Sequence, residues 1–400
     1  MERADLLARC SDEPGQITRL FGTPAHASAL RTVSGWMKAA GMTVRRDAIG
    51  NLIGRYDGGD HGGSALLLGS HLDTVRDAGR YDGVLGVLVA IAVVATVDAA
   101  GRRPRLPLEV VAFADEEGAR FGTAFLGSSV LAGRFDLTDL SRVDADGISL
   151  EEAIREFKGD PAALGPAARA PASIAGYAEV HIEQGPLLEA RGLPLGIVSG
   201  ISGQTRVALR FTGVAGHAGT VPMELRHDAL GAAAELTLAA EAVARETAGL
   251  VATVGQLSVT PGAPNVIPGA AELTLDVRHP DDAERTAAVT RVRGCAERVA
   301  ATRGVELSWE ALHDEDAVRC DPRLTQLMTN AARAAAGTEP LSLPSGAGHD
   351  AAVMAAVAPV TMLFVRCADG VSHHPDESVA EADVALAMDA LARFVEDFEP

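Results

Sequence analysis

The sequence is poor in cysteine and in positive charge, and both shortages exclude classes of site. Its four cysteines, Cys10, Cys295, Cys320 and Cys367, lie far apart and form no C-x-x-C pair. This spacing favours reduced thiols in a cytoplasmic protein over a zinc–thiolate site or a redox pair. The 400 residues carry a formal net charge of −19 at pH 7. No basic field is therefore available to bind nucleic acid or an anionic membrane surface.

The sequence also has little that resembles a targeting or membrane segment. Its first residues include Glu2, Arg3, Asp5 and Arg9, where a secretory signal would carry an uninterrupted apolar stretch. The apolar segment 84–97 is too short to cross a bilayer, and we expect it to form a buried helix. The sequence thus predicts a cytoplasmic protein with no membrane partner.

The length and the apolar pattern predict a chain of two domains. Four hundred residues exceed one typical domain, and 47% hydrophobic residues can fill a large core. Residues 1–20 are expected to form one helix. Strands and helices then alternate over 1–204 and 318–400, whereas 205–317 show a β-α-β-β-α-β order. The predicted fold class is α/β, with a mixed, mainly parallel sheet and an inserted ferredoxin-like α+β domain.

Side chains that bind metals recur at the ends of predicted core strands. Four strand ends carry them: His71, Asp73 and Asp82 at the first, Glu116 and Glu117 at the second, His181 at the third, and His373 or His374 at the fourth. Because ligands collect at the carboxyl ends of strands in open α/β sheets, we expect these groups to meet. A solvated polar loop is the alternative for each group alone, but the repetition favours a common site.

The donor types predict a two-metal hydrolytic centre. Three imidazoles and two or three carboxylates without a thiolate suit Zn²⁺, Mn²⁺ or Co²⁺. Five protein ligands exceed what one catalytic ion needs, so one carboxylate would bridge two ions. A water molecule between the ions would be strongly acidified, and a carboxylate beside it could act as general base and later as general acid.

Specific motifs over nearly the whole chain carry a family resemblance. They are GSHLDTV, YDG, ADEEG, HIEQGP, GHAGTVPM, PNVIPG, LPSGAGHDA and GVSHHPDE. Together they resemble the dinuclear metal amidohydrolases that include N-carbamoyl-L-amino-acid hydrolases and allantoate amidohydrolases. The segments DAGRYDG, SGQTR, GHAGTVPM and MLFVRC are most similar to the allantoate amidohydrolases. The resemblance implies an aminopeptidase-like catalytic domain at 1–204 and 318–400, and a lid and dimerisation domain at 205–317.

The resemblance also implies a role for each candidate residue at the metal centre. The implied metal ligands are His71, Asp82, Glu117, His181 and His373. Asp82 would bridge two divalent ions per subunit, Mn²⁺ or Zn²⁺, with Co²⁺ or Ni²⁺ able to substitute; the pairing of the other ligands stays open. Glu116 would be the general base, and Asp73 would orient His71. The family pattern G-[VI]-S-H-x-P selects His373 over His374.

The implied substrate residues lie mostly in the inserted domain. They are Gln204, Asn265 and Arg278, with His217 polarising the scissile carbonyl from a second subunit and Gln184 supporting the site. A planar guanidinium such as that of Arg278 pairs bidentately with a carboxylate. The implied activity is hydrolysis of the ureido C–N bond of allantoate by a homodimer. The alternatives are an N-carbamoyl-L-amino-acid hydrolase, a related peptidase, and a metal-binding scaffold without catalysis.

Overall fold

The computed structural model describes residues 1–59 and 63–399. It divides into two compact units, Met1–Ser199 with Cys320–Pro400 and Gly200–Arg319. The sequence places the domain boundaries at 204/205 and 317/318. The catalytic role of the first unit and the lid or dimerisation role of the second stay predictions.

The secondary-structure elements are numbered along the chain. The strands are β1 (Thr43–Arg46), β2 (Leu52–Tyr56), β3 (Ala65–His71), β4 (Leu108–Phe113), β5 (Ile174–Ile182), β6 (Leu195–Ile201), β7 (Gly203–Thr212), β8 (Gly216–His217), β9 (Val251–Thr260), β10 (Val266–Ile267), β11 (Ala270–His279), β12 (Glu306–Glu315), β13 (Val318–Arg319), β14 (Leu341–Ser345) and β15 (Val360–Val365). The helices are α1 (Glu2–Ala8), α2 (Pro24–Ala39), α3 (Val84–Ala99), α4 (Leu126–Leu131), α5 (Leu150–Glu156), α6 (Leu187–Arg191), α7 (Ala229–Glu246), α8 (Asp282–Arg303), α9 (Pro322–Ala336), α10 (Asp350–Met354) and α11 (Glu381–Asp397). Short 3₁₀ turns lie at Leu137–Ser141, Pro161–Ala163, Gly165–Ala167, Pro171–Ser173, Met223–Leu225 and Ala368–Gly370.

The sheet of the first unit has a parallel centre. Its strand order is β1-β2-β4-β3-β5-β15-β6, and β14 pairs with β6. Strand β3 runs parallel to β4 and β5, and β15 runs parallel to β5, whereas β2 and β6 are antiparallel to their central neighbours. Strands β3 and β4 are buried at every position, as expected for parallel strands covered on both faces. The predicted mixed, mainly parallel sheet is confirmed.

Helix α3 confirms the predicted buried helix at 84–97. Eleven of its residues are buried, and it packs against β3, β4 and β5. It begins after Gly83, whose φ is +64°, a backbone conformation that favours glycine. The helix therefore begins beside the loop that carries Asp82.

The single helix expected for residues 1–20 is wrong. Helix α1 ends at Ala8, and Pro14 and Gly15 interrupt any continuation. The fully buried Arg19 donates hydrogen bonds to the main-chain oxygens of Leu72 (2.6 Å) and Leu7 (2.9 Å). These long-range contacts hold the segment in an irregular conformation.

The second unit contains a four-stranded antiparallel sheet in the order β12-β7-β11-β9. Helices α7 and α8 pack against it, so the elements follow the predicted β-α-β-β-α-β order. The alternating residues Val207, Leu209 and Phe211 of β7 are buried in its core. No helix built from residues 1–59 and 63–399 is long and apolar enough to cross a membrane.

Candidate active site

The carboxyl ends of the central strands carry the candidate metal ligands. Strand β3 ends in His71, Glu116 and Glu117 follow β4, His181 lies near the end of β5, and His373 follows β15. Because these strands are parallel, their carboxyl ends share one edge of the sheet. Within the described residues, donor atoms lie within 4.8 Å of one another in the groups His71/Asp82/His181, Asp82/Glu117/His373, His71/Glu116/Glu117 and Glu179/His181/His349.

Asp82 is the group that connects two ligand sets. Its Oδ1 lies 3.1 Å from His181 Nε2 and 3.9 Å from His71 Nε2. Its Oδ2 lies 3.0 Å from His373 Nε2, which is 3.4 Å from Glu117 Oε1. The two carboxylate oxygens thus face different partners, so His71 groups with His181 and Glu117 groups with His373. Which of these residues would bind which ion stays a prediction.

Main-chain oxygens orient both buried imidazoles. His71 Nδ1 lies 3.1 Å from the main-chain oxygen of Asp73, and His181 Nδ1 lies 2.9 Å from that of Ile182. In the form that binds a metal ion, a proton on each Nδ1 would leave each Nε2 unprotonated and able to bind the ion. The carboxylate of Asp73 is farther from His71, with Oδ1 at 3.5 Å from Nδ1.

The closest partners of the Asp73 carboxylate are instead on the loop after β4. Its Oδ1 accepts the N–H of Glu116 at 3.0 Å, and its Oδ2 accepts the N–H of Glu117 at 3.1 Å. Burial acts to raise the pKa of Asp73, but contact with His71 and the N–H of Glu116 outweigh burial and lower it. Asp73 therefore joins the loop of His71 to the loop of the two glutamates.

Burial and mutual repulsion set the acidity of the other carboxyl groups. Burial raises the pKa of Glu116 well above its ordinary value. Burial, followed by the charge of Asp82, raises the pKa of Glu117 to about 7. Burial opposes ionisation of Asp82 too, but contacts with His181 and His373 hold its pKa well below the ordinary range.

The donor set fits divalent cations. Asp82 Oδ1 is buried and has no hydrogen-bond partner among residues 1–59 and 63–399, a costly arrangement for a carboxylate oxygen. It faces imidazole nitrogens and lies in a cluster of buried carboxyl groups. Imidazole and carboxylate donors suit Zn²⁺ and Mn²⁺, and cations here would relieve both the repulsion and the missing contact.

Gln184 and His374 occupy different positions relative to this centre. Gln184 has a φ of +58°, and its Nε2 donates to Asp82 Oδ2 at 3.1 Å. The His374 side chain is exposed, and its Nδ1 accepts the N–H of Asp376 at 3.2 Å. The geometry therefore brings Gln184 and His373, but not His374, to Asp82.

The four candidate substrate residues of the second unit form two pairs. Arg278 lies opposite Gln204 in the β11–β7 ladder, and both side chains bind Asp276, with Arg278 Nε 2.8 Å from its Oδ1. His217 lies opposite the residue after Asn265 in the β8–β10 ladder. The N–H of Ala218 donates to the main-chain oxygen of Asn265 at 3.0 Å.

These two pairs lie at opposite ends of β7. From Gln204 to Thr212, where β7 ends, the strand covers about 26 Å at about 3.3 Å per residue. The pairing then continues outward, since the N–H of Gly213 donates to the Gly269 oxygen before β8 and β10 pair. His217 and Asn265 are therefore separated from Gln204 and Arg278 by the length of the ladder.

Sequence reasoning missed three buried groups next to the centre: Glu179, His349 and Glu377. Glu179 accepts hydrogen bonds from Ser70 Oγ (2.8 Å), Tyr177 Oη (3.1 Å) and the N–H of Ala351 (3.1 Å). Since these donors occupy both carboxylate oxygens, we assign the Glu179 group no metal. Its sequence signal was its position two residues before His181, on the same side of β5.

His349 packs against a predicted ligand, and its sequence signal was the glycine-rich loop 346–348. Its ring centroid lies 4.5 Å from that of His181 in an edge-on arrangement, and its Nε2 lies 2.8 Å from Ser345 Oγ. Glu377 is the last residue of the GVSHHPDE motif, but no local pattern indicates that it also accepts hydrogen bonds from a loop almost 300 residues earlier.

Comparison with known proteins shows the family to which this chain belongs. The model of the family "Peptidase family M20/M25/M40" matches residues 67–397. The "Probable allantoate deiminase" of Oryza sativa subsp. japonica is 43% identical over 422 residues, which cover 98% of this chain and 86% of that protein. The "N-carbamoyl-L-amino acid amidohydrolase" of Geobacillus stearothermophilus is 43% identical over 377 residues, with 94% and 92% covered. A solved structure of an amidase of the hydantoinase/carbamoylase family from Burkholderia multivorans has a TM-score of 0.91 at 34% identity, covering 98% of this chain and 95% of that one.

Proposed function

This chain belongs to peptidase family M20/M25/M40 and is a metal-dependent amidohydrolase that acts on non-peptide C–N bonds. We propose that it hydrolyses the ureido C–N bond of allantoate. The observation that carries the proposal is the Asp82 carboxylate between two ligand sets, with the buried carboxyl of Glu116 beside them. The likeness to an allantoate deiminase over 98% of the chain supports the choice of substrate. Its place would be in the release of nitrogen from purine-derived ureides.

Two divalent ions, Mn²⁺ or Zn²⁺, complete the proposed site. His71, His181 and Asp82 Oδ1 would hold one ion, and Asp82 Oδ2, Glu117 and His373 would hold the other. When bound, such ions acidify a water molecule and polarise a carbonyl group. Gln184 would restrain the bridging carboxylate through its hydrogen bond to Asp82 Oδ2.

Glu116 is the proposed proton carrier. It takes a proton from the attacking water, whose oxygen forms a bond with the ureido carbonyl carbon. It then donates this proton to the inner nitrogen as the bond between that nitrogen and the carbonyl carbon breaks. The products are ureidoglycine and carbamate, and carbamate decomposes to ammonia and carbon dioxide. Burial raises the pKa of Glu116, which makes its carboxylate a stronger base for the first of these proton transfers.

The substrate contacts are proposed to come from two copies of the chain. Arg278, held by Asp276, would bind a substrate carboxylate together with Gln204. His217 would donate a hydrogen bond to the carbonyl oxygen, since its Nδ1 accepts the N–H of Gly219 at 3.1 Å and its Nε2 then carries the proton. A small ureido acid cannot span the β7–β11 ladder, so a homodimer, in which a second copy supplies His217 and Asn265, accounts for both pairs. A cytoplasmic location stays a prediction.

A second candidate function is hydrolysis of N-carbamoyl-L-amino acids. The Geobacillus stearothermophilus protein that carries this name has the same 43% identity to the chain as the rice protein. The same metal ligands and the same base would serve it, because the scissile group is again a ureido carbonyl. The two candidates differ only in the group that the substrate pocket accepts.

The deciding experiment is ammonia release by Mn²⁺-reconstituted protein from allantoate and from a panel of N-carbamoyl-L-amino acids. We expect the larger kcat/KM for allantoate, and a larger value for a carbamoyl amino acid would replace the first candidate with the second. The Glu116→Gln variant, with its metal content measured, should lose about 10²–10⁴-fold in kcat. A variant that keeps its metals and most of its activity would remove Glu116 as the base.

A further inference from the structure

Glu377 is a buried carboxylate that no step of the proposed reaction uses. It is 1% exposed and follows β15 in the same loop as His373. Its Oε1 accepts the N–H of Tyr81 at 2.8 Å and the N–H of Asp82 at 3.1 Å. These contacts join residues 296 and 295 positions apart in the sequence. Glu377 therefore holds the main chain of the residue that connects the two ligand sets.

The second oxygen of Glu377 reaches the side of the loop next to His373. Its Oε2 accepts a hydrogen bond from Ser372 Oγ at 2.9 Å, and the same Oγ lies 3.3 Å from Asp82 Oδ2. The single hydroxyl proton of Ser372 can serve only one of these acceptors at a time. The loop of Asp82 and the loop of His373 are thus joined through one carboxylate and one hydroxyl.

The chain leaves room for this carboxylate at Gly79. A Cβ atom at Gly79 would overlap the carboxyl group of Glu377, so the glycine permits close approach of the loop backbone. The contact is therefore specific: Glu377 packs directly on the backbone of the Asp82 loop and occupies two of its N–H donors.

From these contacts we propose that Glu377 is a positioning residue for one of the two ions. It sets the separation between Asp82 Oδ2 and His373 Nε2, which is 3.0 Å, and thereby determines the ion site formed by Asp82 Oδ2, Glu117 and His373. The site formed by His71, His181 and Asp82 Oδ1 depends on it less, because main-chain oxygens of Asp73 and Ile182 orient those imidazoles. The inference rests on the two-ion part of the proposed function, but not on the identity of the substrate.

The alternative is a carboxylate that stabilises the fold and affects both ion sites alike. Calorimetric titration of the apo full-length protein with Mn²⁺ distinguishes this alternative from the positioning role, because it measures a binding step for each ion. The His373→Ala variant identifies the step that depends on the Glu117/His373 site. In Glu377→Ala this same step should weaken about 10–100-fold, the usual effect of losing a partner of a metal ligand, while the other step stays within about threefold.

Two further variants make the test specific. Glu377→Gln keeps an oxygen that can accept the N–H groups of Tyr81 and Asp82, and it should restore most of the lost affinity. Asp281→Ala also removes a carboxylate that accepts two N–H bonds, from Ala283 and Glu284, but it lies at the start of α8. It should lower the free energy of unfolding and leave both binding steps unchanged.

Three results would overturn the inference. The first is equal weakening of both binding steps in Glu377→Ala, and the second is wild-type binding in Glu377→Ala. The third is a double variant, Glu377→Ala with His373→Ala, whose loss of Mn²⁺ affinity equals the sum of the two single losses, because the effects of two residues that act on one site do not add. If Glu377→Ala does not fold, Ser372→Ala, which removes only the hydroxyl contact, must weaken the same step; an unchanged step then refutes the proposal. Intact two-step binding without hydrolysis of any ureido acid would contradict the proposed function but leave this inference standing.

Discussion

Replacement of Asp73 by asparagine tests how the two ligand loops are joined. The two side chains have nearly the same shape, but asparagine has one acceptor oxygen where aspartate has two. In the structure both oxygens are used, one by the N–H of Glu116 at 3.0 Å and the other by the N–H of Glu117 at 3.1 Å. Asp73→Asn must therefore direct an NH₂ group at one of these N–H donors.

The size of the effect follows from these two contacts. A hydrogen bond to a charged acceptor contributes about 1.5–3 kcal/mol, and a buried N–H without an acceptor costs about 1–3 kcal/mol. Asp73→Asn loses one such bond and leaves the other with a neutral acceptor. Relief of repulsion among the nearby carboxyl groups offsets part of this loss. We expect the free energy of unfolding of the apo protein to fall by roughly 2–3 kcal/mol.

Urea unfolding of apo protein at pH 7, Mn²⁺ affinity and kcat provide the assays. Besides the loss of stability, Mn²⁺ affinity should fall about 10–100-fold, because Glu117 is displaced. The matched control is Asp321→Asn at the N-cap of α9. There one carboxylate oxygen accepts one N–H, that of Leu324, and an asparagine oxygen can accept the same hydrogen bond.

The tautomer of His71 supplies an independent readout. The main-chain oxygen of Asp73 holds His71 Nδ1, so ¹⁵N chemical shifts should still report a protonated Nδ1 in Asp73→Asn. Unchanged stability and unchanged Mn²⁺ affinity would refute the assignment of the carboxylate to the Glu116 and Glu117 loop. A changed tautomer with intact stability would show that Asp73 acts mainly through His71.

Three further substitutions have expected outcomes. Burial lowers the pKa of His26 from 6.5 to about 3. Between these pH values the unfolded chain binds one more proton than the folded chain, so the free energy of unfolding falls as the pH drops. In His26→Asn the slope of the free energy of unfolding against pH, measured by urea unfolding over pH 4–6, should be smaller by up to about 1.4 kcal/mol per pH unit. A Cβ atom at Gly83 would overlap the His71 ring, so Gly83→Ala should cut Mn²⁺ affinity at least about tenfold, measured by metal titration. Arg278→Lys loses the bidentate fork and should raise KM for allantoate roughly ten- to hundredfold, with a smaller change in kcat.

Two of these substitutions have a matched control. For Gly83→Ala it is Gly101→Ala, at a similar φ of +63° but with no neighbour within 4 Å of the added Cβ; equal metal loss in both would exclude the contact with His71. For Arg278→Lys it is Arg206→Lys, which alters another cation beside Asp276. An equal rise in KM would mean that general charge, not the guanidinium fork, binds the substrate. For His26→Asn, an unchanged slope of stability against pH would show that His26 is not the buried neutral base.

Local sequence patterns predicted most of the fold and the candidate ligands. The apolar runs at 65–68 and 108–114, each followed by histidine or carboxylate, are readable because a strand end is encoded by adjacent residues. The prediction of a helix over residues 1–20 was wrong because this segment depends on contacts with distant residues. Arg19 bonds to carbonyl oxygens of Leu7 and Leu72, and no local pattern encodes such distant partners.

The sequence by itself determined that parallel strand ends would bring imidazoles and carboxylates to one edge, because strand direction and residue order decide which ends meet. Only the tertiary structure decided that Asp82 faces His71 and His181 with one oxygen and His373 with the other. It alone showed Glu377 on the Asp82 backbone and the Asp73 carboxylate on the N–H groups of Glu116 and Glu117. The physical reason is that a hydrogen bond depends on distances of about 3 Å and on direction, and loops far apart in the chain acquire such distances only when the whole domain packs.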